Sequence, residues 1–168
     1  MDRRSRIAKQ PRAYTSDIAD ALNRRIELHT ARQQHIVLRH MLSEFPTSEP
    51  FTGAQIMKLR QRMRIFLIRH LRLEDERLYP KLSHAANERV RITARKFRME
   101  MSGLLRAFED FDSRWNTASA VNADPAGFLE QWTVIRAALE ARMDAEDCAL
   151  YHDAEEYFSD VLKRADDD

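Results

Sequence analysis

Apolar residues recur at steps of three and four along four long segments of the chain, which is the spacing of one buried helix face. The first predicted helix begins at Thr15 or Ser16, either of which can cap it, and runs to about Phe45. Pro46 and Pro50 follow and end it. Its apolar face consists of Leu28, Ala31, His35, Leu38, Leu42 and Phe45. This face places His35 among residues predicted to be buried.

The second predicted helix runs from about Thr52 to Leu82. Two polar side chains, His70 and Glu74, occupy positions on its apolar face where hydrophobic residues are expected. The face consists of Ile56, Leu59, Met63, Phe66, His70, Glu74 and Leu78. Because the imidazole and the carboxylate are one helical turn apart, they leave the same side of the helix. This arrangement is typical of metal sites on helices.

The third predicted helix, from about Asn87 to Trp115, contains no histidine. Its apolar face consists of Val90, Ala94, Arg98, Met101, Leu105, Phe108 and Trp115. Arg98 is the polar exception on this face.

The fourth predicted helix follows a small, polar connector. Asp124 and Pro125 are typical of an N-cap and a first helical residue, and the helix runs to about Lys163. Its face consists of Phe128, Trp132, Ile135, Leu139, Arg142, Glu146, Leu150 and Ala154. Arg142 and Glu146 are therefore predicted to be buried.

The four segments predict an all-α fold, an up-down-up-down four-helix bundle with sites built between facing helices. The motif from His70 to Tyr79 recurs from Arg142 to Tyr151, keeping Glu, Asp, Leu and Tyr but replacing His with Arg. The first and third helices also match, at an offset of 63 residues: Thr30-Ala31-Arg32 corresponds to Thr93-Ala94-Arg95, and His35 to Arg98. The sequence therefore predicts two pseudo-symmetric helix-pair halves.

Charge patterning divides the chain into three parts. Residues 1–14 carry five basic residues and one acidic residue, which predicts a basic flexible arm. Residues 15–164 form the predicted bundle, and residues 165–168 form an acidic tail.

Composition narrows the class of protein. Three glycines, five prolines and 33% charged residues favour long amphipathic helices. One cysteine and a polar start without a secretion signal indicate a cytoplasmic protein. The most apolar run, 65–73, is too short and too charged to cross a membrane. The net charge of +1 gives no reason to expect nucleic acid as a partner. The sequence does not identify the partner, and a regulatory protein is the candidate left open.

The four apolar faces bring six polar side chains into one zone: His35, His70, Glu74, Arg98, Arg142 and Glu146. Two imidazoles and two carboxylates suit iron, manganese or zinc, with one or two coordination positions left open.

The chain resembles the hemerythrin-like (HHE) cation-binding family. The resemblance rests on Gln34-His35 followed by an apolar run, on His70, Glu74 and Asp75 followed by Leu-Tyr-Pro, and on Glu146-Asp147 followed by Leu-Tyr. Complete members hold two irons near one end of a bundle. Residue by residue, the resemblance implies that the metal ligands are His35, His70, Glu74 and Glu146.

The chain departs from the family pattern at the second iron. The family has two histidines on the third helix and one on the fourth, but here no histidine lies between His84 and His152, and Arg142 takes the ligand position. Because reversible oxygen binding of the hemerythrin type needs two irons, we do not expect an oxygen carrier. There is also no nucleophile with a paired base and no phosphate-binding loop, so no enzyme is expected.

Charge leaves two interpretations open. Glu74 and Glu146 balance Arg98 and Arg142, so the cluster is neutral without metal, and one divalent ion leaves two surplus positive charges. In the first interpretation, the cluster holds one metal ion, and an anion joins it or an arginine turns toward solvent. The domain then senses a redox or gaseous signal. In the second interpretation, the cluster is a metal-free Arg-Glu network in a helical regulatory or protein-interaction module. Tyr79 and Tyr151 are expected to be mainly structural, with a hydrogen bond to a ligand carboxylate as the lesser alternative.

Overall fold

Long amphipathic helices account for almost all of residues 11–166, which are the residues that the computed structural model describes. The long helices are α1 (Pro11–Ser43), α2 (Gly53–Arg72), α4 (Glu88–Arg114), α6 (Pro125–Ala145) and α7 (Tyr151–Asp166). Two shorter helices, α3 (Tyr79–Leu82) and α5 (Ala118–Ala123), lie between them. The described residues contain no strand, so the predicted all-α class is confirmed.

Two π-helical turns lie within the longer helical segments. The first, π1 (Leu73–Leu78), joins α2 to α3, and the second, π2 (Glu146–Leu150), joins α6 to α7. The backbone thus stays helical from 53 to 82 and from 125 to 166, matching the predicted second and fourth helices. The turns themselves were not predicted.

Local capping explains where the helices begin. Thr52 forms a capping box with Gln55 at the start of α2, and Asn87 accepts from the Val90 N–H at the start of α4. Asp124 caps α6 and Pro125 is its first residue, as predicted. The small, polar connector before α6 contains a short helix, α5, at 118–123, which was not predicted.

The ends of the chain differ from the sequence-based boundaries. Helix α1 begins at Pro11, ahead of the predicted Thr15 or Ser16, so the part of the predicted arm at 11–14 is helical. The rest of that arm, 1–10, lies outside the described residues. Helix α7 includes the first half of the predicted acidic tail, and 167–168 lie outside the described residues.

Two apolar clusters form the core, one on either side of a polar layer. Helix α1 passes from Leu28 and Ala31 in one cluster, through His35, to Leu38 and Leu42 in the other. The chain makes the same crossing at Glu74 between α2 and α3, and at Glu146 between α6 and α7. Helix α1 packs on α2, α6 and α7, and α4 packs on α3, α6 and α7.

No helix among residues 11–166 is long and apolar enough to cross a membrane.

Candidate metal centre

The structure brings together all four residues predicted as metal ligands. His35 lies on α1, His70 on α2, Glu74 on π1 and Glu146 on π2, and each is buried. One donor atom from each side chain can be chosen so that all four lie within 4.8 Å of one another. Three long helical segments, 11–43, 53–82 and 125–166, therefore contribute to one compact group of nitrogen and oxygen donors.

The two imidazoles face each other at the centre of the cluster. His35 Nε2 lies 3.2 Å from His70 Nε2 and 3.4 Å from Glu146 Oε2. His70 Nε2 lies 3.5 Å from Glu74 Oε1, and His35 Nε2 lies 3.9 Å from the same oxygen. Both Nε2 atoms thus point at the carboxylates and at each other.

Hydrogen bonds at the opposite ring nitrogens fix these orientations. His35 Nδ1 lies 2.9 Å from Asp147 Oδ1, and His70 Nδ1 lies 3.0 Å from Gln34 Oε1. Arg39 holds Asp147 in turn, at 2.9 Å. Because a carboxylate and an amide oxygen only accept, both Nδ1 atoms donate, and an Nε2 atom that carries no proton keeps a lone pair. Two lone pairs at 3.2 Å repel unless a proton or a cation lies between them.

The sequence analysis did not identify Asp147 and Gln34 as partners of the histidines. A signal was present, since Gln34 immediately precedes His35 and Asp147 immediately follows Glu146. Such partners are expected at a metal site, because a metal-binding histidine usually donates its other N–H to an oxygen.

Two tyrosines link the halves of the cluster reciprocally. The Tyr79 hydroxyl donates to Glu146, and the Tyr151 hydroxyl donates to Glu74. Each tyrosine is the last residue of one motif and bonds the carboxylate of the other motif. The lesser alternative from the sequence, a hydrogen bond to a carboxylate of the cluster, is therefore the one found. Glu74 Oε2 is buried and, within the described part of the chain, has no hydrogen-bond partner.

Arg142 lies in the cluster, as predicted. Its Nε donates to Glu146 Oε1 at 2.5 Å, and its Nη2 donates to the Tyr79 hydroxyl at 2.7 Å and to the Phe97 carbonyl at 2.9 Å. The guanidinium carbon lies 4.4 Å from the centre of the Phe97 ring. These contacts hold the positive charge beside the carboxylates.

The prediction that Arg98 joins the cluster was wrong. Arg98 is exposed, and Phe97 is buried in its place. Both residues fit the steps of three and four between Ala94 and Met101, so periodicity alone does not separate them. The apolar side chain takes the buried position because burying an unpaired guanidinium costs far more free energy.

The protonation of the cluster reflects its burial. Burial, together with nearby His35, lowers the pKa of His70 to about 4, which keeps this imidazole neutral. Burial and the neighbouring Glu146 raise the pKa of Glu74 well above its usual range. Burial also acts to raise the pKa of Glu146, but the contact with His35 and the charge of Arg142 outweigh it and lower that pKa.

The residues fit one cation. With Arg98 outside, the charged groups of the cluster are two carboxylates and one guanidinium, which carry one net negative charge when both acids are ionised. The raised pKa of Glu74 means that this acid keeps a proton unless a cation takes the place of that proton. The two Nε2 atoms face each other at 3.2 Å, and Glu74 Oε2 has no hydrogen-bond partner among the described residues. A cation satisfies all three.

The remaining histidines lie elsewhere. His29, His40, His84 and His152 are all exposed, as predicted.

The family comparison gives one match. The Hemerythrin HHE cation binding domain matches residues 27–154, which include all four clustered side chains and both tyrosines. No curated protein and no solved structure shows significant similarity to the chain. Since the match spans most of the sequence, the chain belongs to the hemerythrin HHE cation-binding domain family.

Proposed function

We propose that this domain binds a single divalent metal ion through His35, His70, Glu74 and Glu146. The observation that carries the proposal is the pair of imidazole Nε2 atoms, 3.2 Å apart, with both Nδ1 atoms already engaged as donors. The two carboxylates beside them supply the charge that a divalent ion needs. Imidazole and carboxylate ligands suit iron, manganese or zinc.

A second metal ion has no ligands here of the type found in complete family members. Arg142 lies where the fourth helix would carry a histidine, and its guanidinium neutralises Glu146 in place of a cation. We infer that the domain is not an oxygen carrier of the two-iron type and does not act as an enzyme. A bound metal would supply a Lewis acid with an open position, which suits the sensing of a redox or gaseous signal.

We also infer the arrangement of the helices. The segments 11–43, 53–82, 88–114 and 125–166 each cross the polar layer or border it, and short connectors join them. Antiparallel neighbours joined by short connectors favour an up-down-up-down bundle with two related halves. The reciprocal bonds of Tyr79 and Tyr151 support the twofold relation.

The test is elemental analysis of protein purified without chelators. We expect close to one iron, manganese or zinc ion per chain, and loss of that ion in His70→Ala and Glu74→Ala. His84→Ala and Glu76→Ala change exposed residues of the same types and should keep it. These controls separate ligand loss from a general effect of removing a charge.

A metal-free regulatory module is the competing function, favoured by the direct Arg142–Glu146 pair. It predicts no metal in wild-type protein and no uptake on adding these ions. Metal content independent of His70 and Glu74 would also refute the proposed centre.

A further inference from the structure

The outward face of α1 carries a row of side chains that includes no acidic residue, lysine or arginine. The row, called here the α1 seam, follows alternating steps of three and four residues. It consists of Ala19, Leu22, Ile26, His29, Gln33, Ile36, His40 and Ser43, which are all exposed. It lies opposite the buried face of the same helix, which contains Leu28, His35 and Leu42. A helix on the surface of a bundle normally carries charged residues on its outward face.

The large apolar side chains of the α1 seam are far from buried. The exposed fraction is 48% for Leu22, 64% for Ile26 and 58% for Ile36, and the adjacent Val37 is 39% exposed. Helix α1 thus carries four of the eight large hydrophobic residues that are exposed in the described part of the chain. Steps of three and four over more than three seven-residue repeats are the pattern of a coiled coil, in which the row packs against a second helix.

We propose that the α1 seam pairs with the α1 seam of a second copy of this chain, with the two helices parallel. At 1.5 Å per residue the seam is about 36 Å long, and a strip about 10 Å wide along it covers roughly 360 Å² per copy. A standard interface covers about 800 Å² per partner. The flanks of α1 and the helices beside it must therefore contribute, and their charges decide which partner and which direction fit.

Arginines line one flank of the seam. Arg25, Arg32 and Arg39 are spaced seven residues apart, and Arg32 and Arg39 pair with Glu155 at 2.8 Å and Asp144 at 2.7 Å on the side of α6 and α7. In an antiparallel pair of helices, this flank would face itself and arginine would meet arginine. In a parallel pair it faces the opposite flank of the partner. That flank consists of Thr30, Val37 and Glu44, which places no second cation against the arginines.

The helices behind the two flanks are opposite in charge. Helix α2 lies behind the Glu44 flank, where Arg62 pairs with Glu44 at 3.0 Å. Residues 53–72 of this helix include six basic residues and no acidic residue. Residues 125–166, behind the arginine flank, include ten acidic and four basic residues, and most of the acidic ones lie outside the core. A parallel pair related by a twofold axis places α2 of each copy on the side of α6 and α7 of the other, so opposite charges face each other.

Sedimentation velocity of the full chain over a range of concentrations tests for the pair. We expect wild-type protein to dimerise reversibly. Ile26→Glu should weaken the dimer by about tenfold or more, because two glutamates then face each other in the seam. Ile92→Glu is the matched control, since Ile92 is 57% exposed but lies on α4, and this variant should dimerise like wild type.

Two outcomes of this measurement overturn the inference. One is a wild-type chain that stays monomeric at every concentration, and the other is a dimer that Ile26→Glu leaves as strong as before. Circular dichroism verifies that the variants are folded, and Ile36→Glu takes the place of Ile26→Glu if that variant is not.

Disulfide cross-linking tests the direction of the two helices. Leu22→Cys is made together with Cys148→Ser, so that each chain has a single thiol. In the parallel pair the two thiols adjoin, and a mild oxidant should link the copies. In an antiparallel pair centred on the seam they would be roughly 27 Å apart and could not react. A dimer that forms no cross-link overturns the parallel arrangement, and Ile92→Cys in the same background should not link in either case.

Discussion

Asp147 shows how one side chain outside the donor set can control the candidate centre. Its carboxylate accepts from His35 Nδ1 at 2.9 Å and from Arg39 at 2.9 Å. It thereby fixes both the tautomer and the direction of the ring. Asp144 contacts the same arginine but not the histidine, which makes it a matched control.

We expect Asp147→Ala to weaken metal binding by roughly 10- to 100-fold, because His35 loses the acceptor that orients it. Asp144→Ala should bind metal like wild type. Competition with a chromophoric chelator measures both affinities. Equal affinities in the two variants would contradict the assigned role of Asp147.

Tyr151 supports a carboxylate of the cluster, Glu74, as Asp147 supports an imidazole. Removing its hydroxyl in Tyr151→Phe leaves Glu74 Oε1 without its donor, in a site closed to water. We expect the free energy of unfolding of the metal-free protein to fall by about 1–3 kcal/mol. Tyr157→Phe, which removes the hydroxyl of a half-buried residue on α7, should lower the free energy of unfolding by much less. Urea denaturation compares them, and similar losses would count against a special role for Tyr151.

The side chains of the centre show which parts a sequence can predict. His35, His70, Glu74 and Glu146 were predictable because each interrupts an apolar face that is otherwise continuous. Arg98 was misplaced because two adjacent positions fit the same period. The partners of the histidines were missed because a hydrogen bond between helices leaves no periodic signal.

At the scale of helices and turns, the two π-helical turns give the motifs their distinctive burial. In each motif the fourth and fifth residues after the Glu are both buried, as Leu78 and Tyr79 and as Leu150 and Tyr151. An α-helix turns by about 100° per residue and would direct adjacent side chains to different faces. The wider π turn accommodates the extra residue, and such turns are frequent at functional sites. Hydrophobic periodicity does not reveal them.

The difference between a π-helical turn and an α-helix predicts how much a single-residue deletion lowers the melting temperature. Removing the exposed Cys148 from π2 lets the turn close into α-helix, so α6 and α7 keep their register. Removing the exposed Ala138 from α6 instead rotates Leu139 and Met143 by about 100° relative to Trp132. We expect the second deletion to lower the melting temperature more than the first. Thermal unfolding followed by circular dichroism checks the order, and the reverse order would contradict it.

Helix contacts also predict opposite effects for two glycines. A Cβ on Gly53 would lie 2.2 Å from the Ala118 carbonyl oxygen, where the start of α2 meets α5, whereas Gly103 has open space around it. We expect Gly53→Ala to destabilise the protein by about 1–3 kcal/mol. Gly103→Ala should stabilise α4 by about 0.5–1 kcal/mol. Chemical denaturation measures both, and a stabilising Gly53→Ala would contradict the packing.

At the scale of the whole molecule, the polar layer separates two apolar clusters, and every long helical segment borders it. The candidate ligands come from α1, α2, π1 and π2, so a bound ion would connect segments that are distant in sequence. The stability of the entire domain should therefore depend on metal, since the unfolded chain has no such site.

Removing the metal tests this connection. A ligand present at 100 times its dissociation constant stabilises a protein by about 2.7 kcal/mol, which raises the melting temperature by roughly 5–10 °C for a domain of this size. We expect a strong chelator to lower the melting temperature of metal-loaded protein by that amount, and added metal to restore it. Glu74→Ala should respond to neither, because it lacks a ligand at the centre of the layer. If unfolding of the metal-loaded protein ignores a chelator that removes the ion, the predicted coupling between metal binding and stability is wrong.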